Sequence, residues 1–348
     1  MRETRRDSLF SVDKHTAPRY LVSDRVIMKN TLLAILLLLT ALAAFPSGAS
    51  ALSMNGDDEG KINAALGIQG WFSSASAKWQ ISIPYQTGKL ESELNFNNID
   101  SPIILFFGGA KLSDAVSFDL VYGTGSIAGG RAIDTDRIIP GGGTGSVLSE
   151  STSDISGDVR MLGGNLYFNN GRFTYPKEGR WGVLVGFLHY EDNLTIRNGT
   201  QTVPPLGPFS GLDSTYDFSW NAVRVGITRQ APLTKSFSYS GVLSLYPYAV
   251  YRGEGYWNLR TTGPNAFRAQ APNFVQESSN GYGYDAALEL VYALSEHVEL
   301  SAGYRYFYLY ARDGTDTTYF ADGTSYVDRL DWVTVTRQGA YAQALIKF

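Results

Sequence analysis

The chain has no cysteine among its 348 residues. That excludes a disulfide framework, a thiolate nucleophile and every cysteine-ligated metal site. Histidine is nearly as scarce, at 3. The two beyond residue 51, His189 and His297, stand far apart, which excludes an HExxH arrangement or a His-rich metal site. Charged residues make up 18% of the chain, and 33 acidic side chains outnumber 29 basic ones. A mildly acidic balance argues against nucleic acid as a partner and leaves cationic peptides open. Long apolar runs are missing but for one, Thr31–Phe45 (TLLAILLLLTALAAF), which falls short of the ~18–20 residues that cross a bilayer as a helix. A helical membrane protein is thereby excluded.

That one run has a purpose of its own. It follows Met28-Lys29-Asn30 and leads into Pro46-Ser47-Gly48 and Ala49-Ser50-Ala51. A positive residue, a Leu-rich core and small residues at A-x-A spacing are the layout of a secretory signal peptide. Residues 28–51 are therefore read as the signal, cleaved after Ala51 to leave Leu52–Phe348. Residues 1–27 carry several arginines and no periodic apolar pattern; they read as an extension upstream of the true start at Met28.

In the remainder, 37 glycines, 22 tyrosines and 18 phenylalanines speak for strands and turns. Alternation with period 2 recurs, as a wall with one lipid face and one lumen face requires. Leu300-Ala302-Tyr304-Tyr306-Tyr308-Tyr310 runs against Glu299-Ser301-Gly303-Arg305. Tyr282-Tyr284-Ala286-Leu288-Leu290-Tyr292 alternates with Gly283, Asp285, Ala287 and Glu289, and Val116-Phe118-Leu120-Tyr122 with Ser117, Asp119 and Gly123. The chain ends on Ala342-Ala344-Ile346-Phe348, an apolar alternation with a terminal Phe that resembles the assembly signal of outer-membrane barrels. Ten strands are expected near 61–83, 89–110, 115–127, 158–169, 181–197, 214–230, 236–253, 280–294, 297–312 and 337–348. Short connections alternate with longer ones near 84–88, 128–157, 198–213, 254–279 and 313–336. The reading is all-β, a ten-stranded antiparallel transmembrane β-barrel of a Gram-negative outer membrane with long extracellular loops. An even strand count places both termini in the periplasm. Outer-membrane lipid, lipopolysaccharide above all, is then the first partner.

Few segments carry chemistry. Gly141-Gly142-Gly143-Thr144-Gly145 is followed by neither Lys-Ser/Thr nor a helix, so it reads as a flexible loop and not as a phosphate cradle. Two glycosylation-type triplets, at Asn193 and Asn198, are uninformative in a bacterial outer membrane. No cofactor is implied. Ile133-Asp134-Thr135-Asp136 is the exception, because carboxylates at i and i+2 of an extended chain share a side. On a barrel rim such a pair can share a proton or polarise a water. Two solvated loop aspartates would look the same in the sequence.

From Lys89 to Phe348 the chain resembles the omptin family, the ten-stranded outer-membrane endopeptidases. The resemblance is carried by Lys89-Leu90-Glu91-Ser92-Glu93-Leu94-Asn95-Phe96-Asn97-Asn98, by Phe118-Asp119-Leu120 and by Asp134-Thr135-Asp136. It implies that Asp134 and Asp136 are the family's catalytic Asp-x-Asp pair. The family's second half is an Asp-x-His at the outer end of the seventh strand, which here runs Tyr246–Asn258. Its Asp and His positions fall on Tyr256 and Asn258, and an acidic residue that selects basic substrates falls on Glu254. Asn258 is no base at neutral pH, and Tyr256, with an ordinary pKa near 10, is a poor one. Three functions stay open: an omptin-like barrel with an incomplete aspartic-type endopeptidase site that binds surface ligands or basic peptides at its outer loops; a working endopeptidase with a divergent partner such as Glu254; and a small porin-like or structural barrel.

Overall fold

A computed structural model describes residues 64–348 except 86–87, 114, 142, 144 and 170–177. The signal peptide and the upstream extension lie outside the described residues, as does Thr144. The chain folds into β1 (Ala64–Tyr85), β2 (Gly88–Lys111), β3 (Val116–Ile127), β4 (Gly129–Ile139), β5 (Ser146–Phe168), β6 (Arg180–Val203), the two-residue β7 (Gly207–Pro208), β8 (Asp213–Pro232), β9 (Phe237–Tyr256), β10 (Phe274–Ala293), β11 (Val298–Tyr319) and β12 (Ser325–Lys347). A 3₁₀ turn, Asn258–Arg260, follows β9. All strands pair antiparallel in one sheet, and β12 returns to β1 from Ala65 opposite Lys347 to Ser82 opposite Arg329. The sheet is therefore a closed barrel.

β3 and β4 are two halves of one stave. β3 lies between the turn-end parts of β2 and β5, and β4 between their loop-end parts. They part at Ala128, beside a bulge in β2 where Asn98 takes a left-handed φ of 53°, a conformation asparagine tolerates. With the halves joined and β7 set aside, the ring has ten staves, the number expected. Its strands tilt steeply, as closure demands. Successive partners of Ile104, in mid-strand, are Gly70, Ala342, Ala302, Leu290, Tyr239 and Ala231, the last beside the turn that ends β8.

The staves are longer than alternation alone suggests. The expected long connection 128–157 is mostly wall: β4, then the first half of β5. The segment 313–336 is likewise the end of β11 and the start of β12. Length of this kind has a physical signature on β1. Near its start the outward residues are Leu66, Ile68 and Phe72, each largely exposed, while Gln69 and Ser73 face in and are buried. Further along, the outward residues are Ser74, Ser76, Lys78, Gln80 and Ser82, and the buried inward ones are Ala75, Ala77, Trp79 and Ile81. The first half thus has the pattern of a lipid-facing wall and the second that of a water-facing barrel with an apolar core. The same apolar belt includes Ile104, Phe106, Leu120, Leu166, Val185, Phe187, Leu245, Leu300 and Ile346.

Side chains fill the lumen. At the turn end, Lys347 pairs with Glu299, and Ser301 and Tyr341 hydroxyls donate to Glu289 at 3.2 Å each. Above them Asp285 joins Arg224 at 2.8 Å and Arg305 at 3.2 Å. In the middle Arg337, wholly buried, donates to both Asp192 oxygens at 3.0 and 3.1 Å and to Tyr190 Oη. Toward the loop end an aromatic core takes over: Tyr190 on Phe307, Phe96 stacked on Tyr216, Tyr216 stacked on Phe274.

Candidate functional site

The loop-end mouth is where the sequence placed chemistry, and the structure sets each candidate on a defined face. Asp134 stands opposite Leu94 of β2 and Ser151 of β5, and Asp136 opposite Ser92 and Ser149. Residues directly opposite in an antiparallel pair share a side. Leu94 is buried in the lumen, so both aspartates point into the mouth while Thr135 lies on the outer side with Glu93 and Glu150. They sit on a strand, β4, and not on the loop that the sequence suggests.

Asp134 is exposed to solvent at the mouth, though the barrel wall packed about its carboxyl takes water from it. Desolvation by that wall, and then the charge of Asp136, push its carboxyl up to about 7; the Arg260 guanidinium of the 3₁₀ turn pulls the other way. Arg260 is thus the cation that the fold brings towards this pair. At neutral pH the two carboxylates and Arg260 can hold a proton, orient a water or receive a basic group.

The other candidates are not on this face. Inward positions at the end of β9 are taken by Tyr251, Gly253 and Gly255, all buried. Glu254 and Tyr256 alternate with them and so lie on the outer wall. There Glu254 Oε1 accepts from Arg252 Nε at 2.9 Å, and Arg252 also joins Glu277. Across the strand pair Glu254 faces Asp217. Desolvation, followed by the charges of Glu191, Glu254 and Asp158, raises the Asp217 carboxyl to about 6. Asn258 is committed to the loop: its Oδ1 accepts from Asp213 N and Ser214 Oγ, each at 3.0 Å, and its Nδ2 donates to Gly211 O at 2.6 Å. His189 lies on β6, with its Nδ1 2.9 Å from Asn221 Oδ1.

Among the described residues, no three His, Asp or Glu side chains are grouped so as to hold a metal ion. The sequence did not single out Arg224, Asp192 and Arg337, which close the lumen. Their inward positions were the available signal. Asp285, Glu289, Glu299 and Arg305 carry that signal in the sequence, since each falls on the polar side of an alternating run.

A family model described as Pom, Protochlamydia outer membrane protein, matches residues 69–336. No curated protein sequence matches the chain. Among solved structures, the outer membrane protease OmpT from Escherichia coli superposes with a TM-score of 0.67 at 14% identity, over 82% of this chain and 97% of that one. The Ail attachment invasion locus protein of Yersinia pestis follows with 0.30 at 9% identity, covering 82% and 99%. OprG from Pseudomonas aeruginosa gives 0.29 at 13% identity, covering 83% and 98%. The likeness to OmpT is one of fold.

Proposed function

The chain belongs to the Protochlamydia outer membrane protein family, and on that footing we propose that it is a plugged barrel of a Gram-negative outer membrane that works from its loop end, holding basic groups of surface ligands on Asp134 and Asp136. One observation carries the reading: wholly buried Arg337 crosses the lumen from β12 to Asp192 on β6, with aromatic side chains packed beyond it. A lumen filled in this way offers a solute no open path, which leaves the rim as the place to meet a ligand. The loops face outward and both termini face the periplasm, in keeping with short turns at one end and longer hairpins at the other.

In this reading the endopeptidase machinery is incomplete, as in a divergent omptin. The outward placement of Glu254 and Tyr256 and the loop ties of Asn258 support it, because none of the three offers a base to the mouth. Lipopolysaccharide is the lipid partner. Lys78, Lys89, Arg137 and Arg329 lie on the wall beyond the apolar belt, each beside a carboxylate of the protein with which a lipid phosphate must compete.

The deciding experiment measures binding of Arg/Lys-rich peptides to the refolded protein with lipopolysaccharide, for the native chain and for Asp134→Asn and Asp136→Asn. Binding that weakens about tenfold in each variant is expected, as for loss of a charged contact of ~1.5 kcal/mol. Binding indifferent to both substitutions overturns the reading. Steady conductance in planar bilayers would make passage of solutes the function, and cleavage abolished by Asp134→Asn would make it a working endopeptidase.

A further inference from the structure

A second inward carboxylate pair lies at the loop end, on other staves than Asp134. Asp316 of β11 and Asp328 of β12 stand directly opposite each other, and both are buried, at 3% and 9% exposure. Directly opposite residues in an antiparallel pair have Cβ atoms only ~4.5–5.5 Å apart. Two negative charges there repel, and neither aspartate has an ion-pair partner among the described residues. One oxygen of each, Oδ1, is shut off from solvent and accepts no hydrogen bond.

The surroundings supply no counter-charge. From β10, Gln276 is wholly buried; its Oε1 accepts from the hydroxyls of Tyr216 and Tyr251 at 2.7 and 3.2 Å. Its amide nitrogen is turned to Asp316 and lowers that carboxyl somewhat, but it completes no hydrogen bond. Burial holds the Tyr216 and Tyr251 hydroxyls, from β8 and β9, well above the ordinary phenol range, and the charge of Asp316 adds to that. On β1 the residue after Ser82, which stands opposite Arg329, is apolar Ile83, packed against the core. Arg312, Asp313, Arg329 and Asp331 pair among themselves.

We propose that Asp316 and Asp328 hold one proton between them and that losing it loosens the cover over the barrel mouth. A shared proton is the species that fits two opposed carboxyls with free oxygens and no cation. Desolvation comes first among the causes that raise both groups, Asp316 to about 7 and Asp328 to about 6. The strands bearing them carry the cover. Tyr319 N donates to Asn273 O and Tyr319 O accepts from Arg268 N; Ala321 N donates to Ala266 O, and Phe267 packs edge-on against Phe320. The Arg268 guanidinium lies 4.1 Å from the Tyr319 ring centre. Residues 257–273, Arg260 among them, are thus tied to the end of β11.

The sign follows from linkage. In the closed state both carboxyls bind protons more tightly than in a solvated one, so closure is favoured most below the ordinary carboxyl range. It is lost as pH rises from about 4 to about 7, by up to ~10-fold per unit for the one shared proton. The inference concerns the cover and stands whatever the mouth binds.

Hydrogen exchange of the full chain, refolded in lipid and followed from pH 5 to 8, tests it. After correction for the intrinsic rate, protection of residues 257–273 is expected to fall by about 10-fold or more across that range. In Asp316→Asn and in Asp328→Asn the fall should shrink, and in the double variant it should disappear. A native protein with no such fall overturns the proposal, as does a fall that survives both substitutions. Should either variant fail to fold, infrared spectra of the native protein decide. A protonated-carboxyl band at pH 6 that bleaches by pH 8 and persists in Asp134→Asn/Asp217→Asn, which removes the other two carboxyls raised into this range, supports the pair, and no such band overturns it.

Discussion

Arg337 and Asp192 project from diametrically opposite staves, β12 and β6, and meet in the middle of the barrel at 3.0 Å, both without any exposure to solvent. The contact ties the two walls together where neither charge has water to turn to. Removing one partner strands the other, which commonly costs ~3–5 kcal/mol. Arg337→Ala or Asp192→Ala should therefore lower the midpoint of urea unfolding in micelles markedly. Replacing both with Met and Leu should be far better tolerated than either single change.

The plug makes an electrical prediction. Native protein in planar bilayers should give no steady conductance at any holding potential. A conducting native chain would show that the packed lumen opens in the membrane.

Binding at the mouth should depend on pH. With its carboxyl held near 7, Asp134 is largely neutral at pH 5 and charged at pH 8, so affinity for Arg/Lys-rich peptides should rise across that interval. Titration of Asp134→Asn should show a shallower rise. Fluorescence anisotropy at fixed ionic strength reads both.

Asn258 should matter for shape and not for chemistry. Asn258→Ala removes the acceptor of Asp213 N and Ser214 Oγ and the donor to Gly211 O. It should cost ~1–2 kcal/mol and speed proteolysis near Gly211. Tyr256→Asp with Asn258→His should fail to create cleavage of dibasic peptides, since Tyr256 stands on the outer wall.

The reversal of pattern along β1 locates the membrane edge. Ile68→Arg, within the belt, should cost ~2–4 kcal/mol and impair insertion, while Ser76→Arg, beyond it, should cost little. Refolding yields into bilayers, followed by gel mobility, compare the two.

The parts of this fold that the sequence displays are those where one alternation runs unbroken. Leu300, Ala302 and Tyr304 face out and Glu299, Ser301 and Arg305 face in, as their spacing implies. Beyond Asp313, whose φ is 54°, the pairing passes from Arg312 opposite Trp332 to Gly314 opposite Leu330. Both strands skip a residue there, so the inward set changes parity. A reader counting by twos therefore ends β11 early and never reaches Asp316. Asp134 and Asp136 were visible because their own spacing keeps them on one face. Arg337 and Asp192 were not, because a pair so distant in sequence is joined only by closure of the ring.

The seam between β1 and β12 pairs residue 65 with residue 347, nearly the whole folded length of the chain. Until the last strand arrives, β1 and β11 each present a row of unsatisfied amides and carbonyls, open to any other strand of like pattern. Joining ends so far apart also carries the largest loop-closure entropy the chain has to meet. Assembly must therefore keep the first strand waiting for the last, and a chain cut before Ser325 is left with two adhesive edges, ready to stick to its own copies.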